Sequence, residues 1–412
     1  MRVGLQCSLS DASLDMAQPS NQRQLAISVS AIAEQTGRNA PLNLCLILDH
    51  SGSMGGRPLN TVKQAAHSLI DGLMPEDRIS IVVFDHQAKV LVANQQVEEP
   101  IIIKSKIDRL KASGGTCIDD GLKLGVEEAA VGRQNSVSQV FLLTDGENEH
   151  GDNNRCLKLA QLAADYNLTL STLGFGDHWN QDILEQIADA GNGSLSYIRE
   201  PEEAMDVFNR LFNRVQSVGL TNAYLKLDLM PQARLAELKP IAQVAPETIE
   251  LPVPEASTSI SLRLGDLMVD VPRVILANLY VSHLPVGRHT IGSVQVQYDN
   301  PARGATGLTS ERLMVEADVQ QTYQPAPNDQ VQQHVLALAK YRQTQIAETK
   351  LKQGDRQGAA TLLQTAAKTA LQMGDKNAAT VLQENATRLQ SGQELSERDR
   401  KQTRIASKTT LQ

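Results

Sequence analysis

The stretch Asn43-Leu-Cys-Leu-Ile-Leu-Asp49-His-Ser51-Gly-Ser53 decides how this chain is read. A strand with one wet face alternates apolar and polar residues, whereas a strand covered on both faces reads as an unbroken apolar run. Residues 44–48 form such a run, and it stops at a carboxylate followed by small hydroxyl residues. Three more runs of the same kind follow: Arg78 to Phe84, Ser138 to Asp145 and Leu168 to Phe175. Between and after them lie helical patterns at Leu59 to Leu73, Ile101 to Leu110, Gly121 to Ala130, Arg155 to Tyr166, Gln181 to Ala190 and Glu202 to Val215. Buried strands alternating with helices predict an α/β domain over residues 39–217: a Rossmann-like open, mostly parallel sheet with helices on both faces.

Outward from this domain the pattern changes. Period-two alternation marks strands at Val3-Leu5-Cys7-Leu9 and at Leu25-Ile27-Val29, within residues 1–38. Two strands cannot bury an apolar face stably by themselves. The same alternation returns near Leu225, Ile260, Val274, Val294 and Leu313, within residues 218–322. The α/β domain is therefore expected to be inserted in a β-sandwich of seven or eight strands, whose first strands precede it. A linker beginning near Tyr323 leads into a helical stretch, residues 323–395. There Gly354-Asp355 and Gly374-Asp375 repeat one stop-and-restart chemistry, Gly closing a helix and Asp capping the next. That predicts a small bundle of three antiparallel helices. Residues 396–412 hold five basic and two acidic side chains with little apolar periodicity and are expected to be a disordered basic tail, its Ser407, Thr409 and Thr410 open to docking or phosphorylation.

Composition narrows the function. At 412 residues the chain has room for two or three domains, and its net charge of −8 with 3% aromatic residues argues against nucleic acid as a partner. Duplex binding calls for a basic face and single-strand binding for aromatic platforms. Cys7, Cys45, Cys117 and Cys156 show no paired spacing of a zinc site or disulfide framework, so reduced thiols and a cytoplasmic location are expected. No apolar stretch has the length of a signal peptide or a membrane span, so neither export nor a membrane span is expected.

The chemistry is concentrated at the carboxyl edge of the α/β sheet, where open sheets of this kind bind ligands. Asp49, Ser51 and Ser53 form Asp-x-Ser-x-Ser after the first strand, Thr116 ends the loop Ser113-Gly-Gly-Thr116, and Asp145 ends Leu142-Leu-Thr-Asp145. Two carboxylates and three hydroxyls make an all-oxygen set, which suits a hard cation such as Mg²⁺. By itself Asp-x-Ser-x-Ser can be a helix cap with turn residues; Thr116 and Asp145 on neighbouring loops turn the reading toward metal. His50 reads as a structural histidine rather than a base for Ser51, because no third orienting group is evident. Cys117 reads as a buried small residue rather than a reactive thiol.

These residues resemble the von Willebrand factor type A domain and its metal-ion-dependent adhesion site, with the motif residues in order over about 39–217. The likeness extends to Thr172-Leu-Gly-Phe-Gly176 and to Ile187-Ala188 before Gly191-Asn-Gly193. The resemblance implies that Ser51, Ser53 and Thr116 bind Mg²⁺, or Mn²⁺ or Ca²⁺, through their hydroxyls, that Asp49 and Asp145 act mostly through water, and that a partner protein supplies a carboxylate. Cys117 stands where the family more often has Asn or Asp. The acidic rim of Asp119, Asp120, Glu147, Glu149 and Asp152 strengthens cation binding and opposes an acidic partner. The whole chain resembles cytoplasmic bacterial and cyanobacterial proteins of this type. The expectation is a non-enzymatic adaptor recruiting proteins, an ATPase complex among them. The alternative is a Mg²⁺-dependent hydrolase such as a phosphatase, but there is no phosphate loop with its Lys, and Ser51 replaces the second Asp of a haloacid-dehalogenase-type site.

Overall fold

The apolar run after Pro41 becomes the strand Leu42–Asp49, with every residue buried. It lies in the middle of a six-stranded sheet ordered Ala88–Gln96, Arg78–Phe84, Leu42–Asp49, Val137–Thr144, Leu168–Phe175, Asn192–Ile198. The strands pair in parallel except Ala88–Gln96, which runs antiparallel at the edge. The coordinates are a computed structural model and describe residues 1–33, 40–253, 258–269 and 271–408.

Helices cover both faces of this sheet. Arg57–Gly72, Pro100–Asp108 and Ala204–Gln216 pack their apolar residues with Leu44, Leu46 and Leu48 of the central strand. Ile118–Val131, Asn153–Asp165 and Gln181–Ala190 pack with Cys45 and Ile47, which point the other way as alternation along a strand requires. The chain is an α/β protein with a mostly parallel sheet, as its sequence predicts.

The split strands find their partners. Ser20–Ile32 lies between Arg2–Leu9 and Arg273–Ser282, with Ile27 opposite Ile275, so strands from before and after the α/β domain share one sheet. That sheet continues through Ile241–Ala245 to Ile249–Glu250, and Ala233–Leu235 pairs with Arg273–Ser282. The second sheet runs Ser259–Met268, Val218–Leu229, Gly287–Asn300, Leu313–Gln320, Ser13–Asp15, with Ala305–Thr309 on Gly287–Asn300. Their inner faces form one core with Leu25, Leu225, Leu262, Ile275 and Val296. Each sheet has six strands among the described residues, more than the seven or eight expected in total, because several are two to five residues long and too short to show alternation.

Three helices follow as expected: Asp329–Lys352, Arg356–Gln372 and Lys376–Gln390. Gly354 and Gly374 are left-handed, at φ 83° and 81°. The carboxylates of Asp355 and Asp375 accept from the backbone N–H of Gly358 (2.8 Å) and Ala378 (3.0 Å). The expected disordered tail is corrected: residues Glu397–Lys408 are a fourth helix, with Lys401 2% and Lys408 7% exposed. It is held by charge rather than by apolar area, which is why apolar periodicity misses it. Ser407 is buried in it, and Thr409 and Thr410 lie outside the described residues. Among the described residues no helix is long and apolar enough to cross a membrane.

Candidate metal site

Asp49 ends the central strand, and its carboxylate is fixed from two sides. Oδ1 accepts from the backbone N–H of Ser51 (2.8 Å), which turns the chain sharply back over the strand end. Oδ2 accepts from Thr144 Oγ1 (2.6 Å), on the neighbouring strand. The hydroxyls continue from there: Ser51 Oγ lies 3.1 Å from Ser53 Oγ, and Ser53 Oγ donates to Asp145 Oδ1 (2.7 Å). Thr116 closes the set, because its Oγ1 lies 3.1 Å from where a Cβ on Gly146 would sit.

Backbone contacts hold the three loops together. Gly52 N–H donates to Gly114 O (3.0 Å), Ser113 N–H to His50 O (2.9 Å) and His150 N–H to Thr116 O (3.1 Å). Gly114 has φ +73°, and a Cβ there would also meet His86 Nδ1 at 2.5 Å, so this turn needs glycine. The structure thus brings Asp49, Ser51, Ser53, Thr116 and Asp145 to one place on the sheet edge.

The electrostatics of that place are unbalanced. Burial pushes the Asp49 carboxyl up to about 6; hydrogen bonds from Thr144 and Ser51 oppose the shift and the charge of Asp145 adds to it. Burial also raises Asp145, against the Ser53 hydrogen bond and the field of His178. Among the described residues neither carboxylate forms an ion pair. A buried carboxylate such as Asp49 is costly without a cation, and half-buried Asp145 adds a second negative charge near it. A divalent ion among these oxygens removes that cost, so the residues present fit a hard metal in both donor chemistry and charge.

Neighbouring groups are already satisfied. His50 Nδ1 sits 3.1 Å from Lys111 O and its Nε2 4.0 Å from Asp85, neither of them Ser51. Cys117, Asp119 and Asp120 cluster closely enough to suggest a second metal group. Arg155, however, binds Asp119 (2.7 Å) and Asp120 (2.9 Å), and the Cys117 thiol, pushed up to about 11 mainly by burial, keeps its proton. Arg155 therefore neutralises part of the acidic rim. Sequence reasoning does not single out Thr144, which orients Asp49; its position just before the strand-end carboxylate is the available signal.

Residues 43–210 match the von Willebrand factor type A domain family, and residues 329–412 match the Sll0103-like C-terminal alpha-helical domain. The chain belongs to the von Willebrand factor type A domain proteins that carry this helical domain. It is 62% identical over 412 residues to the Synechocystis sp. protein sll0103, covering 100% of this chain and 98% of that one. Among solved structures, a von Willebrand factor type A protein from Catenulispora acidiphila superposes with a TM-score of 0.82 at 17% identity, covering 99% of this chain and 97% of that one. The ArnB paralog VWA2 from Sulfolobus acidocaldarius gives 0.59 at 16%, covering 98% of each chain. The fold is therefore shared along the whole chain, sandwich and helices included.

Proposed function

We propose that this protein is a divalent-metal-dependent protein-recruiting module rather than an enzyme. The observation that carries this reading is a buried carboxylate, Asp49, and a half-buried one, Asp145, neither in an ion pair among the described residues, joined by the hydroxyls of Ser51 and Ser53 at the carboxyl edge of the sheet. Ser51, Ser53 and Thr116 would hold Mg²⁺ or Mn²⁺ through hydroxyl oxygen, with Asp49 and Asp145 balancing its charge. The cation would supply a Lewis-acidic position for a carboxylate on the partner. Because one coordination position gives little area, the rest of the affinity has to come from the surrounding rim. The partner is expected to be an intracellular protein, an ATPase complex being the first candidate, and the free state of all four cysteines supports the cytoplasm as the working compartment.

Catalysis is the weaker reading, since a serine nucleophile needs a base within hydrogen-bond reach and the ring nitrogens of His50 face Lys111 and Asp85. The test is affinity capture with tagged full-length protein in Mg²⁺, in EDTA, and with Ser53→Ala in Mg²⁺. A protein retained only by the wild type in Mg²⁺ supports recruitment through the metal. The same interaction set in all three arms overturns it.

A further inference from the structure

The cationic helix at residues 397–408 lies against the α/β domain at residues 177–179 and at the helix Gln181–Ala190. Lys401 is 2% exposed, and its ammonium donates to the carbonyls of Asp177 (2.6 Å) and Trp179 (3.0 Å) and lies 4.1 Å from the centre of the Trp179 ring. One turn on, Arg404 pairs with Asp182, Glu185 and Glu348. Lys408 pairs with Glu185 and Asp189, each at 2.8 Å. Arg404 and Lys408, one turn apart, thus meet Asp182, Glu185 and Asp189 on the helix Gln181–Ala190, while Lys401 grips the loop that precedes that helix. Lys340, wholly buried, holds the far end by donating to Ala406 O (2.9 Å) and pairing with Asp375 (3.0 Å).

The loop gripped by Lys401 borders the site. It follows the strand Leu168–Phe175 as the Asp145 loop follows Val137–Thr144, and the two strands are paired with Thr144 opposite Gly174, so both loops leave the sheet edge side by side. Within the loop, Trp179 is anchored by donating to Gly176 O (2.7 Å) and by edge contact with Tyr197.

We propose that the C-terminal helix is a positioning clamp for the metal site: its docking through Lys401 fixes the loop of residues 176–180 beside Asp145, so that helix docking and cation binding strengthen each other. This rests on the metal reading given above. By linkage, releasing the helix lowers cation affinity, and coupling of this kind amounts to about 5-fold or more. The helical domain thereby acquires a role at the site, because anything that pulls on it changes the cation affinity of the α/β domain.

Trp179 is the single tryptophan of the chain and touches the clamp, so its fluorescence reports docking. The experiment uses full-length wild type, Lys401→Met, and the double variant Arg404→Gln/Lys408→Gln, which loosens the helix without touching the loop. Trp179 emission and acrylamide quenching are read together with Mg²⁺ affinity by calorimetry. Expected is greater quenching of Trp179 and at least about 5-fold weaker Mg²⁺ binding in each folded variant. Exposed Trp179 with wild-type Mg²⁺ affinity overturns the clamp and leaves the metal reading intact. Unchanged quenching in both variants overturns it too, since the helix then does not rest on these contacts. A wild type that binds no Mg²⁺ fails the metal reading itself. Should Lys401→Met not fold, the double variant decides.

Discussion

Replacing Gly125 by alanine tests how tightly the helix behind Thr116 must approach the Asp49 strand. A Cβ at Gly125 would lie 2.3 Å from Ile47 Cδ1 and 2.6 Å from its Cγ1. Ordinary carbon contacts are about 3.5–4.0 Å, so the overlap exceeds roughly an ångström. Ile47 is 0% exposed and cannot swing into solvent, and Gly121 on the same helix is similarly close to Phe84. Overpacking of this kind costs about 1–3 kcal/mol, offset by about 0.5–1 kcal/mol from placing Ala rather than Gly inside a helix. A net loss of up to about 2.5 kcal/mol follows, centred near about 1 kcal/mol. Ile47→Val alone costs about 0.5–1.5 kcal/mol, but it removes Cδ1, the nearer of the two atoms that the new methyl strikes, and so relieves part of the overlap. The double variant should therefore be more stable than the sum of the singles by about 0.5 kcal/mol or more. Because the helix begins two residues after Thr116, Gly125→Ala should also weaken Mg²⁺ binding. Urea unfolding of the full chain, followed by circular dichroism, measures the cycle. An unchanged midpoint in Gly125→Ala, or strict additivity in the double variant, would refute the packing argument.

Two further outcomes follow from buried groups. Burial holds the thiols of Cys45 and Cys156 up at about 12 and Cys117 at about 11, and also raises half-buried Cys7, so at pH 8 Ellman's reagent should modify the folded protein slowly, Cys7 first, and all four thiols at once in urea; fast labelling of Cys117 contradicts this. Asp11 ties the linker to the N-terminal segment by accepting from Ser13 N–H (2.8 Å), the Tyr323 hydroxyl (2.8 Å) and Ala326 N–H (3.1 Å). Burial pushes its carboxyl up, but these donors and Arg23 outweigh it and the folded pKa is depressed. Its contribution is therefore complete above the unfolded value of about 3.9 and is lost as pH falls through the folded one. Asp11→Asn should show at pH 7 the linker proteolysis that the wild type shows only in acid, and equal resistance in both at pH 7 contradicts the tie.

Which parts of the molecule were legible follows from what each part is held by. The strand Leu42–Asp49 is covered on both faces, so its apolar run, its central place and its carboxyl edge could be read together. The convergence of Ser51, Ser53, Thr116 and Asp145 followed from that edge. The strands Ala88–Gln96 and Asn192–Ile198 are edge strands with much exposed or half-exposed surface, so neither an apolar run nor clean alternation marks them. The helix Glu397–Lys408 looks like a tail in the sequence because its burial is ionic. The signal is complementarity: Arg404 and Lys408 stand four apart, as do Glu185 and Asp189, a match visible only when two distant helices are compared. Thr144 escapes because its role depends on which strands are neighbours, which spacing along the chain does not give.

The most direct test of the account is calorimetric titration of the full-length, chelator-treated protein with Mg²⁺ and Mn²⁺, alongside Ser53→Ala and Thr116→Ala. The account predicts one cation per wild-type chain, bound at least about 10-fold more tightly than by either variant, with the circular dichroism of all three unchanged. No heat of binding in the wild type, or equal affinity in all three folded proteins, would contradict the central claim that these five residues hold a metal.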